Sequence, residues 1–154
     1  MIKLFAHEDI PQINELYRQL FEYVADKEPD YLKTSYQDEN FLKTVVDQRD
    51  GFIGYVFEDK GEIKGFILAQ TQTTPPYNCF KPLSLVYIMD ILVDSNTRGL
   101  GIGTKLIDKV KAWSLEQGVD YIELSVLTKN SKAYELYLRE GFSPYMTSMR
   151  VKLK

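Results

Sequence analysis

The sequence predicts a single α/β domain, residues 1–154, with a mixed β-sheet. Strand-like and helix-like segments follow one another in the order β-α-α-β-β-β-α-β-α-β. The run SLVYIMDILVD, residues 84–94, is apolar at both alternating sets of positions, as in a strand at the centre of a sheet. Helical segments follow the fourth and fifth strands, which is typical of crossovers between parallel strands.

The first half of the chain predicts three strands and two helices. IKLFA is a short strand, and EDIPQINELYRQLFEYVADK is a helix that tolerates Pro11 in its first turn. DENFLKTVVDQR predicts a second, shorter helix. FIGYVFED and EIKGFILAQTQT predict a hairpin whose turn contains Gly61. The prolines of TPPYNCFKPL end the third strand and predict a loop.

The second half continues with a central strand, a glycine loop and a helix that ends near Gln117. YIELSVL predicts the fifth strand and SKAYELYLRE the last helix. The closing segment GFSPYMTSMRVKLK alternates like one or two further strands.

Composition narrows the function classes. Hydrophobic residues make up 44% and charged residues 27% of the chain, as in a soluble globular domain. No apolar run is long enough to span a membrane, and the N-terminus lacks the apolar core of a signal peptide, so we expect a cytoplasmic protein. A net charge of −3 disfavours nucleic-acid binding. One His and one Cys cannot build a His/Cys metal site, so no metal is expected.

The loop RGLGIG places Gly99, Gly101 and Gly103 directly before an amphipathic helix. Glycines let a ligand approach the backbone, and the first amides of a helix have no partner within the helix. This combination predicts an anion site, most simply for a phosphate. The dinucleotide motif G-x-G-x-x-G and the nucleotide P-loop are both absent.

A second motif, Asn130-x-x-Ala133-x-x-x-Tyr137-x-x-x-Gly141-Phe142, follows Arg98-x-x-Gly101-x-Gly103 after one helix and one strand. The two together resemble the GNAT superfamily of N-acetyltransferases. The resemblance implies a mostly antiparallel central sheet flanked by four helices, with a parallel pair of strands that splays at the acyl-coenzyme A site. It also implies direct transfer of an acetyl group from acetyl-CoA to a primary amine.

The resemblance assigns roles to particular residues. Val93 offers its amide to the thioester oxygen, and the Tyr137 hydroxyl faces the departing sulfur. The pantetheine arm pairs with the strand segment before Val93 and meets the second motif, while Arg98 and the loop amides hold the pyrophosphate. The cofactor residues are therefore Ile91, Leu92, Val93, Arg98, Gly99, Leu100, Gly101, Ile102, Gly103, Thr104, Asn130, Ala133 and Tyr137.

The general base is less clearly marked. Some members of the superfamily carry a Glu on the fourth strand at positions that here hold Tyr87 and Met89. Asp90 is the carboxylate within that strand and is a candidate base, although alternation turns it away from Met89. Ordered water is an equal candidate, and a structural hydrogen-bond acceptor is the simpler role for Asp90.

The acceptor pocket of this fold lies between the first helices and the loop before the fourth strand. Aromatic side chains there could hold an alkylammonium through cation–π contacts, or could be ordinary core and surface residues. The candidate substrate residues are Phe21, Tyr31, Tyr77, Tyr87 and Met89. The identity of the amine, a homodimer, and a role as an acyl-CoA sensor without turnover all remain open.

Overall fold

Five strands form one sheet in the computed structural model, which describes residues 1–97 and 99–154. The sheet order is β1-β2-β3-β4-β5, and neighbours are antiparallel except for the parallel pair β4 and β5. The predicted mixed, mostly antiparallel sheet is therefore confirmed. The strands are β1 Ile2–Leu4, β2 Phe52–Asp59, β3 Glu62–Thr73, β4 Ser84–Val93 and β5 Tyr121–Leu124.

The described residues also contain four α-helices, as predicted: α1 Ile10–Lys27, α2 Glu39–Val46, α3 Ile102–Gln117 and α4 Ser131–Arg139. Local sequence explains their ends. Asp38 accepts a hydrogen bond from the Phe41 amide at the start of α2. Gly118 takes a left-handed conformation with φ 69° at the end of α3.

The four helices pack as two pairs, one pair on each face of the sheet, and each pair buries its own hydrophobic layer. Residues of α1 and α2 pack on one face of the sheet, around Tyr17, Leu42 and Phe66. Residues of α3 and α4 pack on the other face, around Leu106 and Tyr137. Because both faces are covered, the central strands are apolar on both sides, as the sequence of β4 indicated.

A β-bulge interrupts β4. Leu68 of β3 lies opposite Asp90, whereas the next residue, Ala69, lies opposite Ile88, so Met89 is an extra residue on β4. Regular alternation would place Asp90 on the same face as Ile88, which packs against α3. The bulge instead turns Asp90 to the face of Leu68, which packs against α1.

The prediction that the closing segment GFSPYMTSMRVKLK forms one or two further strands is wrong. None of the described residues after Arg139 belongs to a helix or a strand. The tail, residues 143–154, is held by side chains: Tyr145 donates to Glu123 at 2.7 Å, and Lys152 donates to Asp30 at 3.1 Å. A cavity of about 1230 Å³ is lined by residues of both the tail and β5, and no backbone hydrogen bond joins the described residues of the two segments. Within the described residues, therefore, no sixth strand follows α4.

No α-helix in the described part of the chain combines the length and the apolar character that crossing a membrane requires.

Candidate active site

The parallel strands β4 and β5 separate midway along β4. The last paired residues of the two strands are Ile88 of β4 and Leu124 of β5, and β4 then runs on to Val93 paired with β3 but not with β5. A cavity of about 130 Å³ opens at this point. The splayed parallel pair is therefore confirmed. The cavity is lined by Leu20, Val24, Ile88, Met89, Asp90, Ile91, Leu124, Ser125, Val126, Leu127, Asn130 and Tyr137.

Asp90 is the only carboxylate among the described residues that line this cavity. Its Oδ2 accepts a hydrogen bond of 2.7 Å from the hydroxyl of Tyr17, a fully buried residue of α1. Burial raises the pKa of Asp90 to about 6, while the Tyr17 hydrogen bond opposes that rise. A carboxylate with such a pKa is mostly ionised at neutral pH and can still accept a proton.

Tyr137 lies across the same cavity, on α4. The residue is buried, and its hydroxyl makes no hydrogen bond to the described residues. Burial and the nearby Asp90 charge raise the pKa of Tyr137 to about 12. The hydroxyl therefore keeps its proton at neutral pH and is available to donate it to a group in the cavity.

Asn130 begins α4 and connects it to α1. Its Oδ1 accepts from the Ala133 amide and from the Tyr23 hydroxyl, both at 3.3 Å. The side chain therefore caps the helix and fixes its position relative to α1. These bonds account for the Asn130-x-x-Ala133 spacing through local structure, and Asn130 also lines the cavity.

The glycine loop lies at the start of α3. Gly99 and Gly101 have φ of 88° and 73°, which L side chains rarely adopt, and a Cβ at either position would meet nothing within 4 Å. Gly101 is the N-cap residue and has no side chain to cap the helix. The first amides of α3 are therefore left for an external acceptor, and the open backbone fits a diphosphate.

Gly103 has a different role from the other two glycines. A Cβ on Gly103 would lie 3.3 Å from Leu136 of α4 and 3.9 Å from Val93. Its missing side chain therefore lets α4 and the end of β4 approach the start of α3. This packing brings Tyr137, one residue beyond Leu136, to the same end of the sheet as the loop.

The remaining predicted cofactor residues differ in exposure. Ile102 and Leu92 are buried in the core, so only their backbones can face a ligand. Leu100 is exposed, Thr104 and Ile91 are half-buried, and Val93 ends β4 opposite Gly65. Arg98 lies outside the described residues.

A family profile described as the acetyltransferase (GNAT) family matches residues 10–142. The chain belongs to this family. The match includes the four strands β2 to β5, all four helices and both motifs of the candidate site, and it begins after β1.

Individual relatives show similarity over different lengths. Thialysine N-epsilon-acetyltransferase of Sus scrofa is 44% identical over 56 residues, which is 36% of this chain and 33% of the relative. The chain thus matches about a third of that relative's length. An uncharacterized N-acetyltransferase of Methanocaldococcus jannaschii is 29% identical over 141 residues, which is 92% of this chain and 59% of the relative.

Solved structures show the same fold. A crystal structure of a mutant BH1408 protein of Bacillus halodurans has a TM-score of 0.94 and 24% identity, and covers 100% of this chain and 99% of that one. At this identity the likeness concerns the fold alone.

The predicted acceptor residues do not form one cluster. Met89 lines the small cavity, and the Tyr87 hydroxyl donates to Ser125 at 3.0 Å beside it. Phe21 packs on Tyr17 in the core layer. Tyr31 is exposed and lies under Arg150, whose guanidinium carbon is 3.9 Å from the ring centre. Tyr77 is exposed and lines neither cavity.

Sequence reasoning missed the role of Tyr17. Its position in the apolar stripe of α1 indicated a core residue, and its ring is indeed in the core. Its hydroxyl nevertheless bonds Asp90, which is 73 residues away. A single hydroxyl within a stripe of Ile, Leu, Phe and Val side chains was the available signal, because a buried hydroxyl requires a partner.

The described residues contain no group of three or more His, Cys, Asp or Glu side chains that could hold a metal ion.

We predict that Gly101→Glu strongly weakens acetyl-CoA binding, because the side chain and its charge would enter the path of the phosphates. Gly118→Glu is the matched control: Gly118 also has positive φ and open space around a Cβ, but lies at the other end of α3. Both variants should lose ~1–2 kcal/mol of stability from backbone strain. Calorimetric titration should show lost binding only for Gly101→Glu, and equal affinities would exclude a phosphate site in the loop.

We predict that Asp90→Asn stabilises the folded protein by ~1–3 kcal/mol at neutral pH. The pKa of Asp90 is raised from 3.8 to about 6, so the folded state disfavours the ionised carboxylate. This cost is complete above pH ~7 and disappears below pH ~4, where the carboxyl is protonated in both states. Chemical denaturation of both proteins from pH 4 to 8 should show a difference that grows with pH. A constant difference would contradict the raised pKa.

Proposed function

We propose that the protein is an acetyl-CoA-dependent N-acetyltransferase that acts on a primary amine by direct, sequential transfer. The observation that carries this proposal is the cavity where β4 and β5 part, because it brings Asp90, Tyr137 and Asn130 together at the end of the sheet that bears the glycine loop. A cytoplasmic location, without nucleic-acid or membrane partners, belongs to the same proposal.

Acetyl-CoA, when bound, supplies a thioester whose acetyl group passes to the amine and whose thiol is released. The amides at the start of α3 and Arg98 bind its pyrophosphate. Ile91, Leu92 and Val93 orient the pantetheine arm in the opening beside β4. The Val93 amide faces the carbonyl oxygen and stabilises negative charge there.

Two side chains move protons. Asp90 takes a proton from the ammonium of the acceptor, directly or through one water, so that a neutral amine attacks the carbonyl. Tyr137 donates a proton to the sulfur as the carbon–sulfur bond breaks. Two protons leave the acceptor nitrogen as the ammonium becomes an amide. The first passes through Asp90 to solvent, and the second, lost after the attack, replaces through water the proton that Tyr137 gives to the thiol, so each turnover releases one proton.

The acceptor class is a compact primary amine. The thialysine acetyltransferase relative acts on an ε-amine, and an aminoglycoside N-acetyltransferase in complex with CoA shares the fold with a TM-score of 0.72 at 18% identity. Met89 and the half-buried Tyr87 provide apolar and aromatic surface beside the carboxylate.

The test is a screen of primary amines that follows release of coenzyme A. The library should include thialysine, lysine, polyamines, aminoglycosides and peptides with a free N-terminus. Steady release with at least one amine, and its absence with no amine, is expected. Tight binding of acetyl-CoA without release would favour the sensor role, which the absence of a Glu at positions 87 and 89 keeps in view.

We predict that Tyr137→Phe lowers kcat by about 10- to 1,000-fold and leaves acetyl-CoA affinity nearly unchanged, because the hydroxyl acts mainly as the thiol departs. The melting temperature should change little, since the ring remains and the hydroxyl has no partner among the described residues. Tyr134→Phe, three residues earlier on α4, is the control. An undiminished kcat would assign Tyr137 to the core alone.

We predict that the pH profile of kcat/KM for the amine has an acidic limb, which rises up to about pH 6 because Asp90 ionises there. A second rise, due to deprotonation of the amine itself, should follow near pH ~10. Asp90→Asn should remove this acidic limb and lower the rate. Tyr17→Phe should move the limb to higher pH, because the Tyr17 hydrogen bond lowers the pKa of Asp90. A limb that persists in Asp90→Asn would assign the base to another titratable group, and an unchanged rate with no limb in either protein would assign it to an ordered water.

The same proposal includes a homodimer, in which a second copy would cover the outer edge of β5, where no described residue pairs with Tyr121–Leu124.

A further inference from the structure

The Tyr17 hydroxyl, which donates to Asp90, also meets the connection between α1 and α2, residues 28–38. Burial, the Asp90 charge and the bond to Asp90 raise the pKa of Tyr17 well above its ordinary value, and a hydrogen bond from the Gln37 side chain opposes this rise. A hydrogen bond lowers the pKa of a phenol when it is donated to the phenol oxygen, because it stabilises the phenolate. Gln37 therefore donates to Tyr17, and Tyr17 donates to Asp90 at 2.7 Å.

The other end of the Gln37 side chain has a separate partner. Gln37 Oε1 accepts a hydrogen bond of 2.9 Å from the Asp38 amide. Asp38 in turn is the N-cap of α2 and accepts from the Phe41 amide. The side-chain oxygen of Gln37 is thus held at the start of α2, and its Nε2 is left to donate to the Tyr17 oxygen.

The backbone of Gln37 is attached to α1 by two further hydrogen bonds. Asn14 Nδ2 donates to the Gln37 carbonyl at 3.1 Å, and the Gln37 amide donates to Asn14 Oδ1 at 2.7 Å. Asn14 lies three residues before Tyr17, so both side chains lie on the same face of α1. The helix face that carries Tyr17 therefore also fixes the position of Gln37.

Hydrogen bonds are the main stabilisation of the Asp90 carboxylate. Among the described residues, the titratable groups that interact with it are Tyr17 of α1 and Tyr137 of α4, and burial keeps both neutral at pH 7. The β3 residue opposite Asp90 is the apolar Leu68, and β4 is followed across the cavity by the uncharged Ser125. The described residues that line the cavity include no cation.

We infer that Gln37 is a positioning residue for Asp90 that acts through Tyr17. Its Nε2 occupies a lone pair of the Tyr17 oxygen, so the hydroxyl proton stays directed at the carboxylate. Hydrogen bonds in such a chain polarise one another, so donation by Gln37 strengthens the bond from Tyr17 to Asp90. The catalytic meaning of this role rests on the proposed function, in which Asp90 is the base.

The consequence is that the connection between α1 and α2 helps to set the proton affinity of the base. In this fold the same connection borders the acceptor pocket. A displacement of residues 28–38 withdraws Gln37 from Tyr17 and weakens the bond that favours the ionised carboxylate. Asp90 therefore keeps its lower proton affinity only while the connection is in place.

The test compares two substitutions that keep the length of the Gln37 side chain. Gln37→Met removes the donor. Gln37→Glu replaces the donor with an acceptor that competes for the Tyr17 proton and adds a like charge near Asp90. Both variants keep the two backbone bonds to Asn14.

The readout is the pKa of Asp90 in the full chain, measured by NMR titration of its carboxyl carbon, which is assigned with Asp90→Asn. The pKa should rise by about 0.5 in Gln37→Met, as loss of one hydrogen bond in the chain predicts. It should rise by about 1 to 2 in Gln37→Glu, because of the like charge. The acidic limb of kcat/KM should move to higher pH by the same amounts.

Two further variants separate the side-chain bond from general effects. Gln72→Glu on β3 adds the same charge at an exposed residue whose side chain bonds Gln70, and should leave the pKa of Asp90 unchanged. Asn14→Leu breaks the attachment of Gln37 to α1, and should raise the pKa of Asp90 as Gln37→Met does.

A double-mutant cycle tests whether Gln37 acts through Tyr17. In a Tyr17→Phe background, Gln37→Met should leave the pKa of Asp90 unchanged, because no hydroxyl remains to be oriented. An equal rise in both backgrounds would overturn the inference, as would an equal rise in Gln72→Glu. It would also be overturned if the Gln37 variants changed kcat, KM or the melting temperature while the pKa of Asp90 stayed the same.

The NMR titration needs neither an acceptor nor turnover, so it separates this inference from the proposed function. A protein without acetyltransferase activity whose Asp90 titration shows these shifts would support the positioning role and remove the enzyme. An active enzyme whose Asp90 titration is the same in wild type and in the Gln37 variants would do the reverse.

Discussion

The extra residue that Met89 adds to β4 ends the regular alternation of the strand and turns Asp90 toward α1. The rest of the candidate site depends on this bulge, because it sets the face of the sheet on which the Asp90 carboxyl lies. On that face the carboxyl meets the buried hydroxyl of Tyr17, and its burial raises its pKa toward neutrality. Without the bulge, Asp90 would be on the face of Ile88, within the apolar layer under α3, where a carboxylate has no partner.

The bulge in β4 lies directly beside the point where β4 and β5 separate. Pairing between β4 and β5 stops at Ile88, the residue directly before the bulge, and the cavity opens beyond it. An edge of β4 that no longer pairs with β5 can accept an extended ligand arm in place of a neighbouring strand. The three glycines have two different roles. Gly99 and Gly101 leave the backbone open at the start of α3, while Gly103 lets α4 pack closely against α3.

Asp90 and Tyr137 show how one environment separates two pKa values. Burial favours the neutral form of both groups, and the Asp90 charge further raises the pKa of Tyr137. The result is a pair with pKa values of about 6 and about 12, so that at neutral pH one group is ready to accept a proton and the other to donate one. The hydrogen bond from Tyr17 limits how far the first value rises.

The sequence by itself determined the order of the elements, the parallel pair and the glycine loop, because hydrophobic periodicity, Gly and Pro act over a few residues. It also marked Tyr137 and Asn130 through their spacing. Only the tertiary structure decided the partner of Asp90, since a bulge depends on how two strands pair and Tyr17 is distant in sequence. Likewise, alternation in the tail predicted a strand that the structure does not contain, because a strand exists only where a neighbouring edge lies within hydrogen-bonding distance. In the single chain that edge is across a cavity, so tertiary structure alone determines whether the pattern becomes a strand.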